Sequence, residues 1–110
     1  MTRNAKKYLY DIDKCIDNIF KIHLDGISNI KDFKQDITAI RAIEREIEII
    51  GEALYRLRQM QVELSLTDSI INKRNTIAHQ YDATKEENLW SFVFHDLPSL
   101  NQEVAQLLNQ

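Results

Sequence analysis

Apolar residues along the chain recur mostly at steps of three and four, the period of helices that bury one face. From about Asn4 to Leu24, Leu9, Ile12, Ile16, Ile19 and His23 form such a stripe. The tract Asp25–Asn29 then gathers turn formers, with Gly26 suited to the left-handed conformation that ends a helix. A short helical turn is expected around Lys31–Lys34, and Asp36 is placed to cap the next helix. That helix has the most regular stripe: Ile40, Ile43, Ile47, Ile50, Leu54 and Leu57, carrying it to about Gln59. Ala42, Ile49, Ala53 and Met60 add a second stripe beside it. Either this helix is covered on two sides within one bundle, or a second subunit covers the second side. Thr67 or Ser65 is expected to cap a third helix running through Ile70, Ile71 and Arg74 to about Ala78, with Asp82-Ala83 as a connection. Thr84 and Glu87 have the spacing of a capping box. The helix after it is expected to bury Leu89, Trp90, Val93 and Phe94. Pro98 fits the first turn of a last helix, about Leu97 to Leu108.

Composition supports this reading. Two Gly and one Pro in 110 residues leave few turns and long regular elements. The expectation is an all-α fold, a four- to five-helix up-and-down bundle in a single domain over residues 1–110. The formal charge of −3 argues against a general electrostatic coat for nucleic acid, although a local phosphate-binding cleft is compatible with it. One cysteine, Cys15, allows neither an intrachain disulfide nor a Cys-rich zinc site. The opening residues MTRNAKKYLYDIDK have no apolar core of a secretory signal, and no apolar run approaches the ~18–20 residues that span a bilayer. A cytoplasmic location with no membrane association is the expectation.

Candidate chemistry concentrates at 74–81, where Arg74, His79 and Tyr81 form R-x-x-x-x-H-x-Y. Histidine exchanges a proton near neutral pH, and arginine offers a fixed cationic fork to phosphate oxygens and the charge that builds on them. A base for an RNA 2′-hydroxyl plus a cation on the scissile phosphate suffices for cleavage to a cyclic phosphate without metal. Arg74 and Tyr81, seven apart, share a helical face. His79, five from Arg74, would sit about 140° away on an unbroken helix. Convergence therefore needs a helix end near Ala78 or a second subunit completing the cleft. By chance the three-residue pattern is expected in roughly one chain of this length in several hundred.

The context is more specific. AIEREIEIIGEA at 42–53, the motif at 74–81, Leu89-Trp90 and DLPSL at 96–100 come in an order and spacing that resemble the HepT proteins of the HEPN superfamily over nearly the whole chain. The resemblance implies a helical bundle that forms a homodimer with a composite cleft. It implies a metal-independent endoribonuclease, the toxin of a type II/VII-like toxin–antitoxin pair, needing no cofactor and acting on RNA. It also implies an MntA-like minimal nucleotidyltransferase antitoxin that silences the toxin, in such systems by adenylylating the motif tyrosine. Carried onto this chain, Arg74 and His79 take the catalytic roles, Tyr81 is the AMP acceptor, and Asn75 orients the phosphate or its partners. One departure is the tract Val62–Asn72, which is shorter than in many relatives, so substrate selection or antitoxin docking through that loop is not carried over from the resemblance.

The remaining candidates have plainer readings. His23 reads as a partly buried structural histidine with no ligand partner at helical spacing, and His95 as a helix-end residue. Cys15 reads as a small core hydrophobe. Trp90 and Phe94 read as core packing residues rather than base-stacking ones, while Tyr8 and Tyr10 are open between the two. Arg41, Arg45, Arg56, Arg58 and Lys73 form either a phosphate-binding rim or a solvated face paired with glutamates. Two other functions compete with the nuclease. One is a non-catalytic helical module that binds the nucleotidyltransferase. The other, a nucleotide-binding regulatory domain, lacks a Gly-rich phosphate loop.

Overall fold

The computed structural model describes residues 1–71 and 85–110 and is helical, with no strand among the described residues. Helix α1 (Arg3–Asn18) begins where the Thr2 hydroxyl accepts from the Ala5 amide at 3.2 Å. Its buried face is Ala5, Leu9, Ile12, Cys15 and Ile16. The helix then widens into a π-helical turn, Ile19–His23, closed by the Leu24 amide donating to the Ile19 carbonyl at 2.9 Å. Such a turn bonds to the fifth residue back instead of the fourth. Leu24, not His23, therefore falls beneath Ile19 and is buried, while Ile22 stands 63% exposed.

Gly26, at φ +82°, reverses the chain into α2 (Ile30–Lys34), which Asn29 caps by accepting from the Asp32 amide at 2.9 Å. Helix α3 (Ile37–Gln59) starts at Asp36, whose carboxylate accepts from the Ala39 amide at 3.0 Å. All six residues of its regular stripe are buried. In the second stripe Ala53 is buried, whereas Ala42, Ile49 and Met60 are half-covered. Within this chain the second face of α3 is thus partly wrapped.

A short helix α4 is described over 67–71, with Ile70 fully buried. Helices α5 (Lys85–His95) and α6 (Leu97–Leu108) complete the bundle, with Pro98 in the first turn of α6. Helix α1 packs on α3 and α6, α5 on α6, and α2 bridges α3 and α5. One continuous apolar cluster runs from Ala5 to Val104, as a bundle core requires.

Two expectations change. In α5 the buried residues are Leu89, Phe92 and Val93, while Trp90 is half-buried and Phe94 is 40% exposed. These two rings instead extend an aromatic seam: Phe33 to Trp90 at 5.1 Å, Trp90 to Phe94 at 4.5 Å, and Phe94 edge-on to Phe20 at 5.8 Å. Nor does Ser65 or Thr67 cap α4 as expected. Ser65 donates from both its amide (2.9 Å) and its hydroxyl (3.2 Å) to Glu103 on α6. Thr67, buried, accepts the Leu64 amide at 3.0 Å.

Candidate functional site

The four residues singled out for chemistry, Arg74, Asn75, His79 and Tyr81, lie outside the described residues, as do Lys73, Asp82-Ala83 and Thr84. The structure does describe how the chain is fastened on either side of them. On the approach, α3 ends in a Schellman motif: the Val62 amide donates to the Leu57 carbonyl and the Gln61 amide to the Arg58 carbonyl, each at 2.9 Å. Gln61 holds the left-handed position at φ +63°, where glycine is usual. Arg58 then pairs with Glu63 at 3.3 Å and also with Asp68, tying the last turn of α3 to the start of α4.

On the far side, Lys85 Nζ lies 3.0 Å from Glu44 Oε2 of α3, and both side chains are largely covered. Glu87, two residues further on, pairs with Lys34 of α2. Glu44 and Arg58 are about 21 Å apart along the axis of α3 at 1.5 Å per residue. The motif-bearing stretch is therefore bracketed by anchors near opposite ends of one long core helix. Sequence periodicity gave no hint of the Lys85–Glu44 anchor, because it joins residues 41 positions apart.

The charged residues considered as a phosphate rim divide. Arg45 pairs with Glu48 at 3.3 Å, Arg56 with Glu52 at 3.0 Å, and Arg58 is engaged as above. All three are paired with carboxylates, and only Arg41 among the described members of the set makes no ion pair with a described residue.

A buried polar cluster emerges that spacing did not reveal. His23 Nε2 meets Glu46 Oε2 of α3 at 2.7 Å, and Glu46 is only 8% exposed. The Cys15 thiol, buried on α1, lies against the same carboxylate. Burial first, then the charge of Glu46 and a hydrogen bond to it, push the thiol up to about 12. The thiol therefore stays protonated beside Glu46 and is a poor nucleophile. His23 is partly buried as expected from its stripe, and its carboxylate partner comes from a residue 23 positions away. Among the described residues no group of three or more His, Cys, Asp or Glu is arranged to hold a metal ion. No helix among them is long and apolar enough to cross a membrane.

Comparison with known proteins bears on the residues between the anchors. The chain matches the family model described as Ribonuclease HepT-like over residues 12–107. It is 29% identical over 89 residues to a protein of Caldanaerobacter subterraneus subsp. tengcongensis named "Putative RNase TTE0752", covering 77% of this chain and 78% of that protein. No solved structure matches it.

Proposed function

The chain belongs to the HepT-like ribonuclease family, and from that premise we propose that it is an endoribonuclease toxin that cleaves RNA without a metal ion. One observation carries the reading: the family match, residues 12–107, encloses R-x-x-x-x-H-x-Y at 74–81. The relative named as an RNase supports the same substrate class.

In this reading His79 takes the proton of a ribose 2′-hydroxyl and the oxygen attacks the adjacent phosphorus. The bond from phosphorus to the 5′-oxygen breaks, that oxygen is protonated, and a 2′,3′-cyclic phosphate is left. Arg74 stabilises the charge on the phosphoryl oxygens, with Asn75 orienting the group. Because Arg74 and His79 are five residues apart, the cleft is completed across a homodimer or at a helix end. Tyr81 is the control point. Esterified with AMP by an MntA-like nucleotidyltransferase antitoxin, it adds bulk and negative charge two residues from the base, and both oppose an incoming phosphodiester. The toxin acts in the cytoplasm, where its RNA is found.

The decisive experiment incubates purified wild-type chain, His79→Ala and Arg74→Ala with an oligoribonucleotide in EDTA and measures the cyclic-phosphate product. Loss of a general base or of transition-state charge stabilisation lowers the rate by about 10²–10⁴-fold. Cleavage that survives in either variant, or that needs Mg²⁺, removes the mechanism. An inert wild-type chain that still binds the nucleotidyltransferase would instead make it an interaction module. Tyr81→Phe is expected to cut RNA and to escape silencing by the antitoxin.

A further inference from the structure

Helix α1 carries an exposed cationic face that the core leaves unused. Arg3, Lys6, Lys7, Tyr10 and Lys14 all project from its exposed side. Arg3, Lys6, Lys7 and Tyr10 line a shallow concavity of about 480 Å³. Lys7 is held by Asp11 at 2.8 Å and sits 4.6 Å from the Tyr8 ring. Arg3, Lys6 and Lys14 make no ion pair with any described residue. Lys21, Lys34, Arg45, Arg56, Arg58 and Lys85 are all engaged by carboxylates, and of the other described cations only Lys31 and Arg41 are not.

In a chain of net charge −3, three of the five described cations without an ion pair to a described residue therefore lie on one helix, beside Asp13, which also makes none. Amid these cations stands the Tyr10 ring, 58% exposed, whereas Tyr8 two residues earlier packs against the core. Cations spaced along a surface with an open aromatic ring between them match the backbone charge and base faces of a single strand of nucleic acid. An acidic protein segment would satisfy the cations but leave the ring without a purpose.

We infer that the outer face of α1, through Arg3, Lys6, Lys14 and Tyr10, is an RNA-docking surface that holds single-stranded substrate outside the cleavage motif. The inference rests on the ribonuclease reading for the identity of the strand as substrate, but binding itself is measurable without cleavage. Arg3 and Lys6 take phosphates, and Tyr10 stacks on a base. The surface raises the local concentration of substrate without touching the reacting atoms.

The test uses the full chain with a fluorescent 20-nucleotide single-stranded RNA, read by anisotropy across a salt series, alongside steady-state cleavage. Arg3→Gln/Lys6→Gln is expected to weaken binding about tenfold at 0.1 M salt. It should also flatten the plot of log affinity against log salt by about 1.4, at roughly 0.7 for each phosphate no longer neutralised. Tyr10→Ser is expected to weaken binding by about 5- to 150-fold with little change in that slope, the mark of a stacking contact. In cleavage, KM rises while kcat holds, because the binding removed is outside the transition state. All substitutions are on exposed positions, and far-UV circular dichroism checks that the helices are intact.

Unchanged affinity and slope in the variants overturn the docking surface and leave the nuclease reading standing. A wild-type chain that binds RNA through these residues but never cuts it supports the surface and removes the nuclease. Variants that bind RNA normally but lose a protein partner overturn the inference in favour of a protein interface. A fall in kcat with unchanged KM overturns it too, because the residues would then act on the chemistry.

Discussion

Removing the Glu46 carboxylate tests how much the polar cluster between α1 and α3 contributes to the fold. Glu46 is 8% exposed, its Oε2 lies 2.7 Å from His23 Nε2, and the Cys15 thiol lies beside it. A hydrogen bond involving a charged group contributes about 1.5–3 kcal/mol net, and breaking a fully buried ion pair costs about 3–5 kcal/mol. His23 keeps 21% of its side chain exposed, so water replaces the carboxylate in part and the cost belongs at the lower end. Glu46→Ala is therefore expected to lose about 2 kcal/mol. For a domain of this size that is a fall in Tm of about 8 °C, at roughly 4 °C per kcal/mol. Glu46→Gln, which keeps a hydrogen-bonding group, is expected to lose about half as much.

The measurement is urea unfolding of wild type, Glu46→Ala, His23→Ala and the double variant at one protein concentration, since self-association would shift every midpoint. The double-mutant cycle isolates the pair, with an expected coupling of about 1 kcal/mol or more. A coupling under about 0.3 kcal/mol would refute the reasoning, because the two side chains would then be adjacent but energetically independent.

Three further outcomes are expected from the geometry. The Cys15 thiol, raised from 9.0 to about 12, favours folding while it is protonated. That contribution is full below pH 9 and is lost as pH rises through about 12, since the unfolded chain sheds the proton first. At pH 10 the loss relative to a Cys15→Ala background is about 1.4 kcal/mol, checked by urea midpoints at pH 8 and pH 10. Ile50→Ala on the fully buried face of α3 costs about 2–5 kcal/mol, against under about 0.5 kcal/mol for Ile22→Ala, 63% exposed; similar losses for the two would contradict the packing described. Gln61→Gly relieves a non-glycine residue at φ +63° and raises stability by about 0.5–1 kcal/mol in the same assay, whereas a neutral or negative result would mean the side chain offsets that strain.

The fold was legible where burial is periodic. The α3 stripe from Ile40 to Leu57 is fully buried, and the cap at Asp36 works through a local hydrogen bond that residue type foretells. Legibility failed where tertiary neighbours chose between nearly equivalent positions. Phe92 and Phe94 are both apolar and two apart, and only the placement of α6 and α2 around α5 decides which is buried. Ser65 has the chemistry of a cap, but the Glu103 carboxylate on α6 claims its donors. Glu46, in a run of alternating glutamates, has the look of a surface residue, and its partner is invisible at helical spacing. The motif at 74–81 is the reverse case, conspicuous in sequence and resting on the family match over residues 12–107.

The π-turn at Ile19–His23 also bears on how this chain could change length. It is in effect a stored insertion, one residue more than an α-helix needs to carry Ile19 to the next core position. Leu24 occupies that position, and Ile22 contributes almost nothing to the interior. Deleting Ile22 would let the turn close as ordinary α-helix, with the leucine four residues after Ile19 instead of five and still facing the core. At most other points in α1 a single deletion would rotate every later side chain by about 100° and turn the apolar stripe out to water. The segment 19–23 is therefore where the helix can lose a residue while the core keeps its register.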